Sequence, residues 1–265
     1  VGLTLAKTIC EDACYLSSAG NGQTAIEILR IAGRKVGSRI NHLLTLRTHD
    51  SSEQDCVVRQ EALEKGILSL LHQSGFTAEE LSFEKYRKHI SEMDTDSVWA
   101  LLKQDIQEYG VQETYKSPSV VESVDWKRIY SVLDGSGCGL CIQIIPTLLS
   151  DDERRLIAKN TAHCSQAVDG VVPNMRDSLA AASADRWKYY AQKVANPFAE
   201  VNLIVIGTVT SAALVTARIK QSVHGTAFRP IAVSAYQKYS IYNQPWKISH
   251  DLKKSDAASL CKWTS

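Results

Sequence analysis

The stretch "GSGCGLCIQIIPTLLSDDERR", residues 135–155, packs a turn, a strand and a helix start into one short run. "DGSG" is turn chemistry, because glycine takes backbone angles that other residues resist. "CGLCIQIIPT" has the length and apolar content of a core strand. Ser150 and Glu153 then stand at capping-box spacing, with Asp151 and Asp152 at the positive end of the helix dipole. A chain that passes from a buried strand straight into a capped helix is neither all-α nor all-β.

The same run holds Cys138 and Cys141, a Cys-x-x-Cys pair. A thioredoxin-like centre needs this pair at a helix N-terminus, where the dipole lowers the thiol pKa. Here a strand follows, so the pair reads as turn and strand. A zinc reading is also open: "CEDAC" supplies Cys10 and Cys14, which with Cys138 and Cys141 make a candidate four-thiolate set. Against it, Cys10 and Cys14 at i, i+4 share one helical face, as two small buried hydrophobes would.

Strand–helix pairs recur along the chain. "SRINHLLTLRT" (38–48) reads as a strand, and a helix follows over 51–75. Ser51 and Gln54 are its predicted capping box, Leu63, Ile67, Leu70 and Leu71 its apolar face, and Gly75 its stop. "EVNLIVIGT" (200–208) reads as a buried strand, and "SAALVTARIKQSVHG" (211–225) as a helix with Val215, Ile219 and Val223 in register. "FRPIAVSAY" is a strand that Pro230 confines to an edge or a strand end. Between the copies, "DTDSVWALLKQDIQEYG" carries Val98, Leu101, Leu102 and Ile106 at helical spacing and predicts a helix ending at Gly110. "KRIYSVL" alternates like a strand. The helix begun at Ser150 lines up Ile157, Thr161, Cys164 and Val168. The next, "MRDSLAAASADRWKYYAQKVANPF", lines up Leu179, Ser183, Trp187, Tyr190 and Val194, and stops at Asn196–Pro197. Its aromatic group Trp187, Tyr189 and Tyr190 invites comparison with base-stacking surfaces. With only Arg186 and Lys188 beside it, the cluster reads first as core packing and second as an interaction surface.

These elements predict an α+β fold in which two strand–helix–strand units form a ferredoxin-like (split βαβ) mixed sheet with a helical insertion. The expected order is an N-terminal extension over about 1–35, a first half over 36–83, a helical insertion over 84–125, a second half over 126–240 and a linker over 241–265.

The net charge of +1 gives no strong nucleic-acid signal and no electrostatic case for an anionic membrane. No apolar run approaches the ~20 residues that span a bilayer. Seven cysteines, an odd count, read as free thiols in a reducing, cytoplasmic setting. There is no G-x-x-x-x-G-K-[ST], H-E-x-x-H, G-x-S-x-G or G-x-G-x-x-G motif in the sequence. "GRKVGSR" (33–39) has glycines and basic residues but lacks P-loop spacing and precedes a strand. Histidines are scattered, and His163 beside Cys164 has poor geometry for a pair, since helical neighbours diverge. No catalytic or cofactor-binding residue is nominated.

Four phrases occur in a fixed order: "AIEILR" then "HLLTLRT"; "CIQIIPTLLSDDERRLI"; "RWKYYAQKVANPFAEVNLIVIGT"; and "SLCKWTS". That order resembles the region N-terminal to the motor in HerA–FtsK-type ATPases, especially those of conjugation and type IV secretion. The resemblance implies a non-catalytic module for assembly and partner docking, with ATP and Mg bound by a motor beyond Ser265. It implies self-association in a ring and contact with secretion-system or membrane-complex proteins, at the inner face of the membrane. The family's ATP-binding residues have no counterparts here. Two other functions stay open: a structural zinc module built on Cys10, Cys14, Cys138 and Cys141, and a ferredoxin-like domain that binds single-stranded nucleic acid.

Overall fold

In the computed structural model, residues 23–50, 52–91, 93, 96–103, 106–108, 116–118, 121–147, 149–169, 178–195, 198–225, 228–232 and 262–263 are described. The fold is α+β. Its main sheet takes six strands in the order β10 (Phe228–Ala232), β3 (Ser97–Lys103), β8 (Phe198–Gly207), β7 (Gly139–Thr147), β1 (Gln23–Ile31) and β2 (Asn41–His49), and the short β11 (Lys262–Trp263) also pairs with β8. Every pairing in it is antiparallel, where a mixed sheet was expected. Two small ribbons flank it: β4 (Ile106–Glu108) with β5 (Lys116–Pro118), and β6 (Val121–Val124) with β9 (Val223–Gly225).

Both faces of the sheet are covered, which explains how the central strands read in sequence. On one face, α3 (Trp126–Leu133) and α6 (Val209–Ser222) place Ile129, Leu133, Val215 and Ile219 against Leu101, Leu140, Ile142, Leu203 and Val205. On the other, Ile90 of α2 (Phe83–Ser91) and Met93 lie over Leu29, Ile31, Leu43, Val98, Cys141, Ile204 and Ile206. Each such side chain removed from water contributes about 1.5–3 kcal/mol. A strand buried on both faces loses the alternation that marks a half-buried one.

That loss accounts for one correction. Residues 97–103 form strand β3, not the expected helix. Val98 faces one core and Leu101 the other, so their helix-like spacing came from a strand apolar on both sides. The interval 84–125 is therefore not a helical insertion: it holds most of α2 and then β3 to β6. The opposite error occurs at "KRIYSVL", which is helix α3. Asp125 caps it, accepting from the Arg128 N–H at 3.0 Å, and Ile129 and Leu133 one turn apart are buried. Residues 23–31, assigned to an extension, are instead strand β1, paired with both β2 and β7.

The helix expected over 211–225 ends at Ser222, and Val223–Gly225, read as its continuation, form β9 instead. The elements that follow match their reading more closely. Helix α1 (Glu53–Gln73) buries Leu63 and Ile67 against Ile26 and Leu46, and Gly75 follows it at φ 77°. Its cap is Ser52, one residue later than expected, accepting from the Asp55 N–H. Helix α4 (Asp151–Asp169) opens on the expected capping box: the Ser150 N–H donates to Glu153 at 2.6 Å, and the Glu153 N–H donates to the Ser150 hydroxyl at 3.2 Å. It packs on α5 (Ser178–Gln192) through Ile157, Cys164, Ala184, Trp187 and Tyr190. Strand β10, with Pro230, is at the sheet edge. No helix among the described residues is long and apolar enough to cross a membrane. The Asn196–Pro197 stop, Gly110 and residues 241–261 lie outside the described residues.

Candidate functional site

Cys138 is fully buried in the cluster under α3 and α6, and Gly207 leaves room for it: a Cβ there would come within 2.6 Å of the sulfur. Cys141 is buried in the other cluster, below α2. Cys138 stands one residue ahead of β7 and Cys141 within it, and the two fall in different clusters on opposite faces of the sheet, so the thiols are separated instead of brought together. Burial, and then the nearby Glu27 charge, push the Cys141 thiol well above its ordinary pKa, the reverse of an activated nucleophile. Cys164 is buried between α4 and α5, and its pKa is likewise raised by burial. Cys10 and Cys14 lie outside the described residues. Among the described residues no three His, Cys, Asp or Glu side chains converge on a metal-sized site.

The aromatic cluster also divides. Trp187 is fully buried and Tyr190 is 4% exposed, both inside the α4–α5 core. Tyr189 is 40% exposed, and the Lys193 ammonium lies 5.8 Å from its ring centroid. Of the three nominated interaction residues, only Tyr189 presents a surface.

Sequence reading missed two polar arrangements. The first is buried on the α2 face of the sheet. Glu27 is 4% exposed and accepts from Gln143 Nε2 and from Arg47 Nε, both at 2.9 Å; Arg47 also donates to the Tyr86 hydroxyl at 3.4 Å. Glu27 sits opposite Gln143 on one side and Thr45 on the other, so the network ties β1, β2, β7 and α2 together. Burial lowers the Arg47 pKa, but the Glu27 charge and hydrogen bond outweigh it and raise it overall. A second buried ion pair, Arg59 to Asp50 at 2.7 Å, fastens α1 to the end of β2. Both carboxylates are thus engaged in holding elements together.

The second arrangement is at the surface, where the β1–β2 hairpin meets the turn before β7. The Gly37 N–H donates to both Asp134 carboxylate oxygens at 2.8 and 3.1 Å, the Gly137 N–H to the Gly33 carbonyl at 3.3 Å, and the Ala32 N–H to the Cys138 carbonyl at 3.0 Å. Gly135 and Gly137 take φ of 72° and 68°, angles open to glycine at little cost. The clasp presents Arg34, Lys35, Val36 and Arg39 to solvent, with Val36 76% exposed. At its base, the Arg30 guanidinium lies 5.1 Å from the Trp126 ring centroid and 5.5 Å from that of Tyr130, and its Nε donates to the Tyr130 hydroxyl at 2.8 Å. His42 packs on Tyr130 at 5.9 Å between centroids. Partial burial and then the charges of Arg30 and Arg39 lower the His42 pKa. The signal that could have found this group was the Asp125 cap, which puts Trp126 on the first turn of a helix.

No family model matches this chain, and no curated protein matches it.

Proposed function

We propose that this chain is a non-catalytic assembly and docking module of the kind that precedes the motor in HerA–FtsK-type translocases of conjugation and type IV secretion. The observation that carries this reading is the distribution of chemistry in the fold. The buried acids and thiols nearest the sheet serve packing and cross-linking, while apolar surface and open strand edges face outward. Among the described residues, β2 and β10 each have a neighbour on one side only. Beside β2, helix α1 turns Val57, Val58 and Leu68 to solvent, at 49%, 62% and 45% exposure, and Leu44 of β2 is 41% exposed. Open edges next to exposed apolar side chains are where chains associate.

A ferredoxin-like core is part of the proposal. The order β10-β3-β8-β7 supports it: the path from β3 through α3 to β7 steps over β8, and the path from β8 through α6 to β10 steps over β3. The α4–α5 hairpin and the β1–β2 pair are then additions to that core. The phrases behind the resemblance also fall on suitable elements: "CIQIIPT" is β7, "SDDERR" opens α4 at a capping box, and "RWKYY" is on α5 just ahead of β8. ATP and Mg belong to a motor encoded beyond Ser265, and cytoplasmic docking at the inner face of a membrane follows from that placement.

Sedimentation equilibrium tests the assembly role. The chain is expected to self-associate with rising concentration, and Val58→Glu with Leu44→Lys to weaken that association at least ten-fold. A monomer at every concentration, together with a reading frame lacking G-x-x-x-x-G-K-[ST] after Ser265, would remove the proposal.

A further inference from the structure

The clasp at the hairpin end carries an inference that does not rest on the translocase reading. Residues 30–39, "RIAGRKVGSR", hold four cationic side chains and no carboxylate, in a chain whose net charge is only +1. The adjoining turn offers Asp134, already held by the Gly37 N–H. Arg30 is half-buried between two aromatic rings, and its Nη1 has no hydrogen-bond partner. No carboxylate among the described residues pairs with Arg30. A partly desolvated cation without a counter-charge is costly, and an anion from outside would supply that charge. Arg30 and Arg39 both act on His42, lowering its pKa.

The neighbouring side chains narrow the choice of anion. Trp126 is 41% exposed on the first turn of α3, beside Arg30, and Tyr130 and His42 extend the aromatic ground. An acidic peptide needs cations but no flat aromatic platform. A nucleotide strand needs both, because successive bases stack on aromatic side chains while its phosphates follow basic residues. The duplex is disfavoured, since its bases are already stacked on one another. The clasp hydrogen bonds tie the loop to the facing turn, which lowers the ordering cost at binding.

We propose that the β1–β2 hairpin and the start of α3 form a binding site for single-stranded nucleic acid, with Trp126 stacking a base and Arg30, Lys35 and Arg39 holding the adjacent phosphates.

Fluorescence anisotropy with a labelled twelve-residue oligothymidylate and the whole chain tests this. Binding should weaken with salt along a log–log slope of about −0.7 per phosphate neutralised, two to three phosphates in all. Trp126→Ala should weaken it roughly 5- to 100-fold, the range for loss of one stacked base. Lys35→Glu with Arg39→Glu, both at exposed positions, should abolish most binding and flatten the salt slope. Lys159→Glu, an exposed charge reversal on α4, should leave it unchanged. Circular dichroism on each variant separates lost binding from lost fold. Absence of binding at 50 mM salt, binding indifferent to Trp126→Ala and to the double charge reversal, or a polyglutamate peptide competing as well as the unlabelled strand would each overturn the proposal.

Discussion

Replacing Glu27 by alanine tests the buried network that joins four elements of the fold. The substitution removes a carboxylate held at 2.9 Å by both Arg47 and Gln143, in a place only 4% open to solvent. Arg47, with its side chain 12% exposed, would keep its charge without the nearest compensating group. Breaking one half of a buried ion pair costs about 3–5 kcal/mol. The Gln143 amide loses an acceptor as well, so the upper half of that range is expected. In a domain of this size about 2–4 °C of melting temperature goes with each kcal/mol, which places the loss at about 10 °C or more. Urea unfolding followed by circular dichroism gives the free energy directly, and an unchanged m value shows that the folded state stayed compact. A second variant separates charge from shape: Glu27→Leu, Arg47→Met and Gln143→Leu together replace the network by apolar groups of similar size. Such replacements are often neutral or stabilising, so the triple variant should be clearly more stable than Glu27→Ala. A loss below about 1 kcal/mol for Glu27→Ala, or a triple variant worse than the single one, would refute the argument that Glu27 holds the sheet through its partners.

Other substitutions probe separate parts of the fold. Gly135→Ala should destabilise by about 2 kcal/mol, because φ 72° is strained for alanine and its Cβ would come within 2.6 Å of Val36; thermal melts check this. Trp187→Ala should cost about 3–5 kcal/mol, while Tyr189→Ala should stay within about 0.5 kcal/mol, since the first side chain is fully buried and the second 40% exposed. Arg39→Gln should raise the His42 titration midpoint toward its ordinary value, as read by proton NMR. The sign follows from the folded state holding His42 less protonated than the unfolded chain does. Its contribution to stability therefore improves as pH rises toward 6.5, and its penalty is complete below the folded midpoint.

The parts of the fold that could be read from sequence are those whose signals are local. The Ser150–Glu153 box, the Leu63 and Ile67 stripe with its Gly75 stop, and the strand that carries Cys141 each declare themselves within a few residues. Strand β3 did not, because its environment is set by two covering layers far away in sequence, and apolar contact on both faces erased its period. Helix α3 was hidden by a chance alternation, although its Asp125 cap was in view. The surface group of Arg30, His42, Trp126 and Tyr130 was the least legible. It is assembled by pairing β1 with β2 and by packing α3 across them, so its members are separated by up to about a hundred residues, as in the Arg30–Tyr130 bond. The buried Glu27 network was hidden likewise, since Gln143 reaches Glu27 only through the β1–β7 register.

Cys138 and Cys141 are interior packing on opposite faces of the sheet, and the non-catalytic reading of the fold depends on it. Alkylation of the native chain with iodoacetamide, resolved by peptide mapping, measures this directly. The partly exposed Cys56 should react early, and Cys138, Cys141 and Cys164 only as fast as the chain unfolds. Rapid labelling of both members of the pair, or a disulfide joining them, would contradict it.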